Sequence, residues 1–78
     1  MTVQELYENL SHGGEIEFEY KGKQYSITHI NGRIHIMEQY NDLSEQFFVH
    51  PEEVGDYHIG NSLLREIFQD AHILFKCF

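Results

Sequence analysis

The sequence predicts an α+β domain: a three-stranded antiparallel meander with an N-terminal and a C-terminal helix packed on one face. Residues 72–78 are a candidate further strand. Three observations predict this class. The runs "EIEFEY", "KQYSITHI" and "RIHIMEQY" alternate apolar and polar residues with period two. The dipeptides Lys21-Gly22 and Asn31-Gly32 join them as two-residue turns. Apolar residues flanking this block, at 3–10 and 63–71, repeat with helical spacing instead.

Taken in order, the first element is a helix. Thr2 and Glu5 have the spacing of a capping box, in which hydroxyl and carboxylate each accept from an otherwise unpaired backbone N–H. Val3, Leu6, Tyr7 and Leu10 gather on one face, and Gly13-Gly14 ends the helix.

The strands come next. Asn-Gly favours a type I′ turn, which needs positive φ at both central positions. Two-residue loops pair Tyr20 with Lys23 and Ile30 with Arg33, and bring Ile16, Ile27 and Ile36 into line. One face then carries Ile16, Phe18, Tyr20, Tyr25, Ile27, Ile34 and Ile36. The other carries Glu15, Glu17, Glu19, Gln24, Ser26, Thr28, His35, Met37 and Gln39. A one-residue slip would expose the whole apolar set, so the register is firmly specified.

Further on, Phe47, Phe48 and Val49 form a short apolar run, read as a brief strand or a core anchor. "HPEEV" reads as one helical turn, with proline at its first position and acids near its positive end. Asn61 or Ser62 is the expected cap of a second amphipathic helix that buries Leu63, Leu64, Ile67, Phe68 and Ala71. The tail "HILFKCF" alternates again.

Length and charge narrow the function classes. The 78 residues form one small domain, 1–78, which buries only about 60–65% of its unfolded surface. A single cysteine, Cys77, allows neither an internal disulfide nor a thiolate zinc cluster. The N-terminus lacks the basic-then-apolar order of an export signal, and no apolar run approaches the roughly 20 residues of a membrane span. A cytoplasmic protein without membrane contact is expected.

Thirteen acids oppose five bases, for a net charge of −8. Phosphate recognition needs lysine and arginine to displace counterions, so no direct nucleic-acid binding is expected. A protein partner with a basic surface fits better. The row Glu15, Glu17, Glu19 is the leading contact surface, and Glu52 and Glu53 are added candidates. Charge on an exposed strand also keeps sheets from pairing, which is the plainer account of the same row.

Catalytic motifs do not assemble. There is no G-x-S-x-G, no glycine-rich phosphate loop, and no H-E-x-x-H or H-x₃₋₅-H spacing among the six histidines. His29 falls on the apolar face, where its ring is expected to be satisfied at the core rim. No cofactor, metal or catalytic residue is assigned.

The segments "IEFEYKGKQYSIT", "HPEEV" and "NSLLREIF" resemble small acidic proteins of Firmicutes bacteria and their phages or mobile elements. That resemblance implies an accessory protein of a bacterium or phage and not a metabolic enzyme. The net charge of −8 without an assembled catalytic set points to a non-enzymatic protein-interaction module, such as a phage-type inhibitor or an immunity protein. Two other classes stay open: a metal-dependent hydrolase using His50, Asp56 and His58, and a structural homo-oligomer or homodimer joined through the C-terminal strand.

Overall fold

The fold was obtained as a computed structural model, which describes residues 1–77. Phe78, the last residue of the expected C-terminal strand, lies outside the described residues. In chain order the elements are helix α1 (Val3–Ser11), strands β1 (Glu15–Tyr20), β2 (Lys23–Ile30), β3 (Arg33–Glu38) and β4 (Gln46–Phe48), a small hairpin of β5 (His58–Ile59) and β6 (Ser62–Leu63), helix α2 (Leu64–Ile67) and strand β7 (His72–Cys77). Tight 3₁₀ turns occupy Asp42–Ser44, Pro51–Asp56 and Phe68–Asp70.

The α+β class holds, but the sheet is larger than the expected meander. It has five antiparallel strands in the order β4-β3-β2-β1-β7. The additions come from distant segments. β4 pairs Phe48 with Ile34 and Phe47 with His35, while β7 pairs Ile73 with Phe18 and Phe75 with Glu17. The three central strands keep the predicted register, with Ile16 opposite Ile27 and Ile27 opposite Ile36. Both turns have positive φ at their two central residues, 50° and 80° at Lys21-Gly22 and 51° and 79° at Asn31-Gly32. That is the type I′ geometry, whose twist matches the flanking strands.

α1 begins at the predicted capping box. The Thr2 hydroxyl accepts from the Glu5 N–H at 3.1 Å, and the Thr2 N–H donates to the Glu5 carboxylate at 2.8 Å. The second helix is shorter than its periodicity implies. Ser62 and Leu63 pair with Ile59 and His58 in the small hairpin, so neither Asn61 nor Ser62 caps it. α2 starts at Leu64, with the Leu63 N–H donating to the Glu66 carboxylate, and tightens into the 3₁₀ turn at Phe68. The expected apolar side survives in part: Leu64, Ile67 and Phe68 are buried, while Leu63 and Ala71 are only half-buried.

One core forms between the inner sheet face and these helices and turns. Ile16, Phe18, Tyr25, Ile27, Ile34 and Ile36 meet Leu6 and Leu10 of α1, Val54 and Tyr57, and the buried residues of α2. Phe18 is its centre, stacked on Tyr25 at 5.1 Å and edge-on to Phe68 at 5.4 Å. Such aromatic pairs add about 0.5–1.5 kcal/mol beyond the burial of their area.

Candidate functional site

The helices and turns that build the core lie against one face of the sheet, so the other face is left to the strands' own side chains. Alternation sends Glu15, Glu17 and Glu19 there, as the sequence predicts. Glu15 and Glu17 are exposed and Glu19 is half-buried. The register then sets their neighbours. Glu17 stands between Ser26 of β2 and Phe75 of β7, and Glu19 between Gln24 and His72. Glu15 stands opposite Cys77.

At the other side of this outer face, His35 departs from expectation. Parity puts it among water-facing residues, yet it is only 7% exposed. The cause is β4, which lays the Phe47 ring beside the imidazole at 5.0 Å. The Glu45 carboxylate bonds the His35 Nε2 at 2.8 Å, and the Arg33 guanidinium sits 4.5 Å over the Phe47 ring. The outer face therefore carries the acidic row on β1, Phe75 at 49% exposure on the adjacent β7, and Phe47 at 37% exposure three strands away on β4. Both aromatics are absent from the sequence-derived site. Their signal is parity, but it can be read only once the pairing partners of β4 and β7 are known.

Glu52 and Glu53 do not join this row. They open the 3₁₀ turn at Pro51–Asp56, whose Val54 is buried in the core on the inner side. The Glu53 carboxylate accepts from the N–H groups of His50 at 2.7 Å and Val49 at 3.1 Å. These bonds, the one from His50 foremost, hold its carboxyl below the ordinary carboxylate value. Glu53 is thus engaged in ending one segment and starting the next.

The histidine and acid set is also dispersed. Asp56 is ion-paired with Arg65. Among the described residues no three His, Cys, Asp or Glu side chains converge in a way that could hold a metal ion, so His50, Asp56 and His58 do not assemble into a ligand set. His29 points to the inner face beside Ile34, as parity requires. Its Nε2 is buried and has no hydrogen-bond partner among the described residues, so the expected satisfaction at the core rim is not met.

β7 lies at the sheet's edge, with a bulge between its pairings to Glu17 and Phe18 that leaves Leu74 outside the ladder. Bulges on edge strands interrupt the flat backbone row that a second chain would need for pairing. Among the described residues no helix is long and apolar enough to cross a membrane. No protein-family model matches the chain, and neither a curated protein nor a solved structure matches it.

Proposed function

We propose that the chain is a non-enzymatic protein-interaction module that receives a basic protein segment on its uncovered sheet face. The observation that carries this reading is the side-by-side arrangement of the Glu15-Glu17-Glu19 row and the exposed Phe75, with Phe47 beyond it. Aromatic side chains supply contact area at interfaces, and the acidic row supplies charge complementarity and a faster encounter. Phe75 stands half-exposed directly beside Glu17, where it offers a partner apolar contact next to the charge. The net charge of −8 favours a cationic partner over any anionic one.

An alternating lysine-tyrosine hexapeptide is a suitable probe, because it offers a basic face and an aromatic face at strand spacing. Its titration, followed by amide chemical shifts, is expected to perturb β1, β2 and β7 and to weaken as salt is raised. Glu15→Gln, Glu17→Gln and Glu19→Gln combined should remove most of the binding. Phe75→Ser, which leaves the charge intact, should weaken it about tenfold, the equivalent of about 1.4 kcal/mol. Equal binding by the triple variant, or shifts confined to the helical side, would overturn the reading.

A further inference from the structure

The inner face of the sheet is not covered to its end. Past the Phe18–Phe68 contact, β1 and β2 run on to the Lys21-Gly22 turn, and the β5–β6 hairpin stands across from them. A cleft of about 410 Å³ lies between. That volume is in the range of small-molecule sites, about 300–1,000 Å³.

Two independent observations distinguish this cleft from an ordinary surface dent. The first is charge. Lys21 and Lys23, two of only five Lys and Arg residues in the chain, both line it, and among the described residues Glu38 is the one carboxylate in its wall. The Lys23 ammonium lies 3.8 Å from Glu38, beyond tight hydrogen-bond distance, and Lys21 sits 5.4 Å from the centre of the Tyr20 ring. Neither ammonium has its donors used up. In a molecule with a net charge of −8, this is a local cationic spot.

The second observation is Tyr25, which lines the cleft and is only 5% exposed. Its ring is held by stacking on Phe18 and by an edge contact with Tyr57 at 6.4 Å. The neighbouring Tyr57 hydroxyl donates to the Ser44 carbonyl at 3.0 Å, but the Tyr25 hydroxyl has no hydrogen-bond partner among the described residues. The hydroxyl itself is not sealed from water, so it is free to donate to an acceptor that a ligand brings into the cleft. Burial first, and the nearby Glu38 second, raise the Tyr25 pKa, so the phenol keeps its proton and remains a donor.

We propose that this cleft binds a small organic anion, a carboxylate or phosphate monoester carrying a ring. The anion's oxygens accept from the Lys21 and Lys23 ammonium groups and the Tyr25 hydroxyl, and the ring lies against Tyr20 and Ile59. The site is on the opposite side of the sheet from the acidic row, so it does not depend on the docking of a protein there.

Titration of the ¹⁵N-labelled full chain with benzoate and with phenyl phosphate tests this assignment. Saturable shifts at Gly22, Lys23, Tyr25 and Gly60 are expected with at least one of them, and which one binds identifies the head group. Tyr25→Phe, which keeps the ring and the core packing, should weaken binding about tenfold, as should Lys21→Asn combined with Lys23→Gln. An unchanged amide spectrum elsewhere verifies that each variant is folded. The proposal is overturned if neither anion gives saturable shifts at the cleft, or if the variants bind as the parent does. Benzylamine matching the anions would overturn the choice of charge, and inorganic phosphate matching phenyl phosphate would overturn the ring.

Discussion

Ile36 and His35 are neighbours in β3 and point to opposite faces of the sheet, yet both are closed off from water. Ile36 is enclosed from several directions, within the cluster that α1, α2 and the turn at Pro51–Asp56 build against the inner face. His35 is enclosed from the outer side by the Phe47 ring and the Glu45 carboxylate. Two strands away, Glu15 and Glu17 share the outer face with His35 and stay exposed. Alternation thus decides which face a side chain takes, while coverage is decided by segments far away in the chain. The two faces should therefore differ in energy far more than in pattern.

The sharpest test of that contrast is Phe18→Ala on the inner face. Phe18 is fully buried and touches both Tyr25 and Phe68, so its truncation should cost about 3–5 kcal/mol in urea unfolding. In a domain this small, such a loss approaches the whole stability. The matching change on the outer face, Phe47→Ala, removes a half-exposed ring together with its contacts to Arg33 and His35. It should cost about 1–2 kcal/mol. Equal losses at the two positions would mean that the outer cluster is a second core and not a local cover.

The smallest expected effect is a dependence on alkaline pH that belongs to the inner side. Burial is the main cause that raises the pKa values of Tyr25 and Tyr57, which means the folded state favours their neutral phenols. Their contribution is fully present below the unfolded tyrosine pKa of about 10 and is lost as pH rises from there through the folded values. Replacing both with phenylalanine should flatten this decline in denaturant midpoints above about pH 10. A decline of the same depth in the double variant would assign the effect to other groups.

The elements legible in the sequence were those whose signals are local. The Thr2–Glu5 capping box, both type I′ turns and the register they set involve residues a few positions apart, so pattern and geometry agree. The second helix was legible as an apolar stripe but not in length, because Ser62 and Leu63 were drawn into a pairing with His58 and Ile59. The acidic row was legible as a set of residues pointing one way. Its aromatic neighbours were not, since Phe75 reaches Glu17 only through the pairing of the chain's last strand with its first. The cleft was the least visible feature. Tyr20, Tyr25, Glu38, Ser44, Tyr57 and Ile59 share no spacing, and only the packed chain brings them together.

By itself the sequence determined the α+β class, the three central strands, the direction of every side chain in them and the strongly acidic surface. Each of these follows from a period of two or 3.6 residues, or from charge, which need no knowledge of distant contacts. The tertiary structure alone decided that β4 and β7 complete the sheet, that His35 is buried while Glu17 is not, and that two lysines meet a buried tyrosine in one cleft. These outcomes depend on which far-apart segments meet, and that choice is made by the packing of the whole core and not by any local pattern.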